Sequence, residues 1–192
     1  TFKEAISSPN ADHWKKAITD EYNAMIKQDV WDLVSLPKGK TAIGCKWVFK
    51  TKYNADGSLS RYKARLVAKG YNQKAGIDYT EIFAPVVKYV SLRTVLALAA
   101  IKGWEVQQID IDTAFLYASV KEELYMYQPE GFEISGPKGE LLVCRLKKSL
   151  YGTKQASRTW HDTLCTTLVD LGFKQSLVDP GAFIYTSNGI VY

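Results

Sequence analysis

Two carboxylates and a run of cations are the residues whose types and spacing could do chemistry in this chain. The carboxylates lie in Val106-Gln107-Gln108-Ile109-Asp110-Ile111-Asp112-Thr113-Ala114-Phe115-Leu116. Counting by twos puts Val106, Gln108, Asp110 and Asp112 on one face and Gln107, Ile109 and Ile111 on the other. That is the pattern of a strand turning straight into a short helix. Strands are depleted in Asp, so a strand that ends Asp-x-Asp calls for a reason. One reason is ligation of a hard divalent cation by carboxylate oxygens, with Asp110 the expected ligand. The other is local: Asp112 caps a helix starting at Thr113, and Asp110 is a solvated strand end.

The cations are Lys46, Lys50, Lys52, Arg61, Lys63, Arg65 and Lys69, set against one acid, Asp56, between Cys45 and Gly70. The whole chain carries a net charge of only +5, so the positive field is local and the remainder is slightly acidic. In Cys45-Lys46-Trp47-Val48-Phe49-Lys50-Thr51-Lys52-Tyr53, residues Cys45, Trp47, Phe49 and Tyr53 share one face while the lysines take the other. Asn54-Ala55-Asp56-Gly57-Ser58 reads as a hairpin turn. The return strand repeats the design, with Tyr62, Ala64, Leu66 and Ala68 opposite Arg61, Lys63, Arg65 and Lys69. Lysines on an exposed strand can serve edge protection. A surface for phosphate accounts better for seven cations on one face of both strands, and it would weaken with salt.

The elements that must position these residues follow from the rest of the pattern. The 192 residues suit one domain or two lobes sharing a core. No apolar run is long enough to span a membrane. The start, Thr1-Phe2-Lys3-Glu4-Ala5, has neither an initiating Met nor a signal-peptide plan, which reads as a piece of a longer polypeptide. Cys45, Cys144 and Cys165 are too scattered for a disulfide framework or a zinc site. His161 and Cys165, four apart, read as a packed helix face. Pro9 and Asn10 open a helix with the stripe Trp14, Ile18, Tyr22, Met25 and Ile26. Ser91 is expected to cap a second, striped by Leu92, Val95, Leu96 and Ala99 and stopped by Gly103. Leu124–Tyr127 and Leu141–Lys148 read as partner strands. The loop Tyr151-Gly152-Thr153-Lys154-Gln155 runs into a helix with a stripe of Trp160, Leu164, Leu168 and Leu171, ended by Gly172. Phe183-Ile184-Tyr185, an Asn188-Gly189 turn and Ile190-Val191-Tyr192 read as a last hairpin.

The order of these pieces resembles the reverse transcriptase domain of Ty1/copia-type long-terminal-repeat retrotransposons, over essentially the whole chain. The residues that carry the resemblance are Gly44–Lys50, Arg61–Gly70, Phe83-Ala84-Pro85-Val86 and Asp110–Leu116. Further on they are Tyr125-Met126, Gln128-Pro129-Glu130-Gly131-Phe132, Leu146–Gly152 and Lys154-Gln155-Ala156. The resemblance implies an α+β right-hand polymerase with fingers and palm, an antiparallel sheet with helices packed on one side, a C-terminally truncated palm and no thumb. It places an N-terminal helix and fingers over 1–103, with the basic hairpin at 45–70. The first palm segment is 104–118, a second fingers segment is 119–150, and the palm helix with a truncated hairpin is 151–192.

It further implies RNA-directed DNA polymerase activity with two magnesium ions, or manganese in their place. Asp110 and the carbonyl of Ile111 would be metal ligands, with Asp110 catalytic. Lys63 and Arg65 would meet the triphosphate, and the backbone of Asp112, Thr113, Ala114 and Phe115 would lie along it. The Phe115 ring would crowd the sugar 2′ carbon, and Tyr151 and Gly152 would floor the pocket. Lys46, Lys50, Lys52, Arg61, Lys69, Lys154 and Gln155 would meet nucleic acid. Implied partners are a primed RNA or DNA template, deoxynucleoside triphosphates, and RNase H and integrase segments of the same polyprotein, with no membrane. The implied location is intracellular, in a cytoplasmic virus-like particle with a nuclear phase.

The family's other two metal-binding aspartates stand in a Tyr-x-Asp-Asp turn, and these 192 residues contain no Asp-Asp pair. The fragment alone is therefore expected to be inactive. Ser157 stands where the family usually has Pro, Thr153 where Leu is common, and Tyr117-Ala118-Ser119 where Asn-Gly-acidic is usual. Two other readings remain at this level: a nucleic-acid-binding module in which Asp110 is structural, and a metal–diphosphate site in a sugar-nucleotide transferase. The second lacks a Gly-rich doubly wound start.

Overall fold

The computed structural model of the chain describes residues 1–187, 190 and 191. A short helix α1 (Phe2–Ser7) is closed by a capping box between Thr1 and Glu4. Helix α2 (Ala11–Lys27) follows, with Asn10 at its N-cap, as the Pro9-Asn10 reading expects. Strands β1 (Trp31–Ser35) and β2 (Ala42–Ile43) lead into the long pair β3 (Cys45–Tyr53) and β4 (Leu59–Ala68). Helix α3 (Tyr89–Lys102), strands β5 (Tyr125–Tyr127) and β6 (Leu142–Leu146), and helix α4 (Ala156–Asp170) complete the larger elements. Four two-residue strands end the described chain: β7 (Lys174–Gln175), β8 (Phe183–Ile184), β9 (Thr186–Ser187) and β10 (Ile190–Val191).

The mixed architecture matches the expected α+β class, but the main sheet is not purely antiparallel. Its order is β1-β6-β5-β2, and β2 runs parallel to β5. One core joins this sheet to α2 and the β3–β4 hairpin through Met25, Val30, Trp31, Trp47, Leu66, Met126, Cys144 and Leu150. Burying the Cys45 and Cys144 thiols pushes their pKa values up to about 11 and about 12, which keeps both protonated and inert as nucleophiles.

Gln128-Pro129-Glu130-Gly131-Phe132 is scaffold. The Gln128 amide donates to the carbonyls of Ile134 and Leu142 and accepts from the Ile134 N–H, so it folds its own loop. Trp47 donates its indole N–H to the Glu130 carbonyl at 3.0 Å, and Phe132 stacks on Tyr22 at 3.9 Å between centroids.

Several expectations fail in the carboxyl half. Residues 105–111 form no strand: a strand exists only with a partner, and none of the described sheets pairs with them. The α3 stripe is largely uncovered: Leu92, Val95 and Leu96 are 42%, 55% and 45% exposed, and Ala99 alone is buried. On α4, Trp160, Leu164 and Leu168 are half-buried and Leu171 is exposed. Ser91 does not cap α3 either. The helix starts two residues earlier, and the buried Asp179 carboxylate serves from across the loop, accepting the Lys88 N–H at 2.9 Å. The final hairpin also pairs differently, with β8 joined to β7 rather than to β10. The Asn188-Gly189 turn and Tyr192 lie outside the described residues.

Candidate nucleotide and nucleic-acid site

The basic ribbon forms in the register its pattern demands. Trp47 pairs with Leu66 and Phe49 with Ala64 on the apolar face, where Trp14 of α2 meets both Phe49 and Tyr62 edge-on. On the other face Lys50 stands directly opposite Lys63, and Lys52 opposite Arg61. Like charges placed directly across a strand pair destabilise it, so the fold gains nothing from this arrangement. Among the described residues none of the seven cations forms an ion pair. Such a surface suits an external polyanion by charge.

The root of the hairpin is pinned to the loop ahead of α4. The Ala68 N–H points away from β3 and donates to the Tyr151 carbonyl at 2.8 Å. Gly152, at φ +88°, packs so closely that a Cβ there would sit 2.2 Å from the Ala68 carbonyl oxygen. Gly70 is as tight, since its Cβ would meet the Gly152 carbonyl oxygen at 2.0 Å. At Gly152 only glycine allows both the left-handed backbone and the approach. This seam brings three side chains together. The Arg65 guanidinium lies 5.4 Å from the centroid of the Tyr151 ring, and Phe115 meets that ring edge-on at 4.9 Å. Arg65, Phe115, Tyr151 and Gly152, scattered over the sequence, thus line one corner beside the cationic face.

Other candidates stand farther from that corner. Phe115 sits in a 3₁₀ turn, Ala114–Tyr117, whose N-cap is Thr113 at φ +53°, so Asp112 does not cap it. Asp112 instead lines an open cleft of about 430 Å³ with Arg61, Lys63, Asp20 and Glu21. Asp110 and Ile111 are exposed on the unpaired segment. Lys154 is exposed, and its N–H donates to the Gln73 side-chain oxygen. Gln155 has a different placement from the one expected of a base contact. Its side chain is 1% exposed, accepts from the Gln73 amide at 3.0 Å and donates to the Asp78 carbonyl at 3.0 Å. It locks the loop around Gln73–Asp78 onto the start of α4 and offers no free edge. The larger cleft beside it, about 590 Å³, is lined by threonines of α4, several of whose hydroxyls are bonded to the helix's own carbonyls.

The chain matches the family described as reverse transcriptase (RNA-dependent DNA polymerase) over residues 28–191. The chain belongs to that family. It is 46% identical over 95% of its length to the retrovirus-related Pol polyprotein from transposon RE2 of Arabidopsis thaliana. It is 48% identical over 94% of its length to that from transposon TNT 1-94 of Nicotiana tabacum. A truncated transposon Ty1-A Gag-Pol polyprotein of Saccharomyces cerevisiae is 34% identical over 80% of the chain. The chain spans only about an eighth of each of these relatives: 12%, 13% and 12% of their lengths. No solved structure matches it.

The reverse transcriptase family depends on a divalent metal. Hard cations need several oxygen ligands converging on one point. Among the described residues no three His, Cys, Asp or Glu side chains do so. Asp110 with the Ile111 carbonyl is therefore an incomplete set, and these residues do not by themselves fit a metal ion. No described helix is long and apolar enough to cross a membrane.

Two residues near the corner carry no signal in the sequence alone. Glu21 hides in an amphipathic helix whose stripe already accounts for its packing. Gln73 sits in a stretch without periodicity, and only its bond to Gln155 reveals it.

Proposed function

We propose that this reverse transcriptase domain acts as the fingers and part of the palm of an RNA-directed DNA polymerase, carrying out template-directed nucleotidyl transfer. Segments 1–103 and 119–150 are fingers, and 104–118 and 151–192 belong to the palm. Lys46, Lys50, Lys52, Arg61 and Lys69 hold the template backbone, with Lys154 near the template-side base. Lys63 and Arg65 take the triphosphate of the incoming deoxynucleotide along the backbone of Asp112–Phe115. Phe115 crowds the sugar 2′ carbon, and Tyr151-Gly152 floors the pocket. Asp110 is the carboxylate for the family's divalent metal. The ligand set is incomplete, so these 192 residues alone are expected to extend a primer no faster than background. RNase H and integrase segments of the same polypeptide are the expected partners.

The observation that supports this reading most is the convergence of Arg65, Phe115, Tyr151 and Gly152 at the root of a ribbon whose cations form no ion pair among the described residues. Binding of a fluorescent primer–template to the chain tests it. Lys50→Glu and Lys52→Glu should weaken binding and flatten its salt dependence by roughly 0.7–0.9 log unit for every phosphate no longer engaged. Phe115→Ala should leave primer–template binding intact while weakening deoxynucleoside triphosphate binding. Triphosphate binding indifferent to Phe115 and Arg65 would favour a non-catalytic nucleic-acid-binding module.

A further inference from the structure

A second open cleft, of about 340 Å³, lies where the first turns of α2 meet the tip half of β4. It is lined by His13, Lys16 and Asp20 of the helix and by Ser60, Arg61 and Tyr62 of the strand. Steps of three and four put the helical residues on one face. The His13 ring lies parallel to the Tyr62 ring, with 6° between planes and 5.1 Å between centroids. Trp14 also meets Tyr62 edge-on at 4.5 Å, which fixes the tyrosine, whereas His13 is exposed. Lys16 and Arg61 are exposed too. Among the described residues neither forms an ion pair, although Asp20 lines the same cleft. The cleft adjoins the one that holds Lys63 and Asp112, and the two share Ala17, Asp20, Arg61 and Tyr62.

We propose that this cleft is a stacking site for an unpaired base of a polynucleotide strand, with the exposed His13 ring as the platform and Lys16 and Arg61 as contacts for the strand's phosphates. The inference rests on the reading of the ribbon as a nucleic-acid surface. The lysines of the ribbon supply charge, to which duplex and single strand both respond. A ring beside free cations is selective for a strand whose bases have an open face, because bases inside a duplex already stack on their neighbours. Packing accounts for Tyr62, which Trp14 holds, but not for an exposed ring laid flat on it beside two cations without partners. Arg61 belongs to the ribbon and to the cleft alike, so a strand held by the one reaches the other along a continuous surface.

The test compares two fluorescent primer–templates of equal duplex length, one blunt and one with a long single-stranded 5′ extension of the template. Binding of each to the 192-residue chain is followed by anisotropy over a range of salt. His13→Ala should weaken binding of the extended duplex about fivefold, the lower end of what stacking on one base supplies, and leave the blunt one unchanged. His13→Phe, which keeps a ring and carries no charge, should stay within about twofold of the unsubstituted chain. The position is exposed, so neither change threatens the fold. Lys16→Ala should flatten the salt dependence for the extended duplex by roughly 0.7 log unit per log unit of salt, the share of one single-strand phosphate. Equal loss on both duplexes in His13→Ala would overturn the inference, and so would His13→Phe binding as weakly as His13→Ala. No loss in His13→Ala, while Lys50→Glu and Lys52→Glu still weaken both duplexes, would also overturn it and leave the ribbon's assignment standing. If Lys50→Glu and Lys52→Glu bind both duplexes as the unsubstituted chain does, the nucleic-acid reading itself fails and the cleft's role falls with it.

Discussion

Replacing Gly152 by Ala should do more damage than any other single methyl addition at a described turn, and the structure says how much. The residue has φ +88°, where an L side chain costs about 1–2 kcal/mol. Its new Cβ would lie 2.2 Å from the Ala68 carbonyl oxygen and 2.7 Å from Val67 Cγ1, against a practical floor near 3.0 Å. The Tyr151-Gly152 loop must therefore retreat from β4. That retreat lengthens the hydrogen bond from the Ala68 N–H to the Tyr151 carbonyl, worth about 1 kcal/mol. It also strains the edge-on packing of Phe115 against Tyr151, worth roughly another 0.5–1.5 kcal/mol. The expected total is about 3–4 kcal/mol, or roughly 10 °C in Tm for a chain of this size.

Gly57, at the hairpin tip, is the internal control. Its φ is +82°, but a Cβ there meets nothing within 4 Å, so Gly57→Ala should cost only the backbone term of about 1–2 kcal/mol. Urea unfolding followed by tryptophan fluorescence reads both variants. Because Gly70 packs on the same carbonyl seam, Gly70→Ala and Gly152→Ala should combine to less than the sum of their separate costs. If Gly152→Ala is no less stable than Gly57→Ala, the tight seam does not exist, and the shared corner of Arg65, Phe115 and Tyr151 loses its support.

Lys50→Glu should raise hairpin stability by a few tenths of a kcal/mol through its new pairing with Lys63 while weakening primer–template binding; the same sign for both would undo the claim that this face is kept for an outside ligand. Gln155→Ala leaves the Gln73 amide and the Asp78 carbonyl without their partner and should cost about 2–4 kcal/mol in urea unfolding, yet nucleic-acid affinity of the folded protein should not change. Asp110→Asn touches nothing in the fold and should shift stability by less than about 0.5 kcal/mol, whereas in the full-length polyprotein it should abolish primer extension. Asp179 is held below the usual carboxylate range by bonds from Ser91, Lys88 and Gly181. Its contribution is therefore present above about pH 4 and lost as pH falls through the depressed folded value, so Asp179→Asn should flatten the acid limb of a pH–Tm profile.

What can be read from the sequence is what local alternation dictates. The β3–β4 ribbon, its turn and its two chemical faces follow from period-2 patterning and an Asp-Gly turn, with no distant partner needed. The expectation of a strand around Asp110 fails for the complementary reason. Alternation states which face a strand would bury, but pairing depends on a neighbour that local pattern does not specify. The stripes of α3 and α4 are the same case, apolar faces legible in sequence whose cover is a tertiary matter. Gln155 misleads because a polar residue beside a glycine loop looks like a ligand contact, whereas the fold spends its amide on Gln73 and Asp78, partners about eighty residues away in the chain. Glu21 is invisible because its neighbours Tyr22, Met25 and Ile18 explain the helix without it.

The hairpin's two ends do different work. At the root, the Ala68–Tyr151 bond and the Gly70–Gly152 seam fasten the outer edge of β4 beside Arg65. Toward the tip, Lys50, Lys52, Arg61 and Lys63 oppose one another with nothing packed over Gly57 and the turn bonded only within itself, Asn54 to Ser58 and Ser58 to Asp56. Held along its apolar face by His13 and Trp14 against Phe49 and Tyr62, the ribbon leaves its self-bonded turn as the part that can change angle at little cost without disturbing the corner it is rooted in. The positions that must be accurate to a fraction of an ångström, Arg65 and the Tyr151 ring, are therefore on the rigid end. Those that need only supply positive charge to a passing backbone are on the compliant one. Hydrogen exchange should report that division directly: slow amides from Ala64 to Ala68, fast ones from Lys52 to Ser60. Uniform protection along β4 would mean the ribbon is one rigid body, and the separation of precise from approximate contacts would have no structural basis.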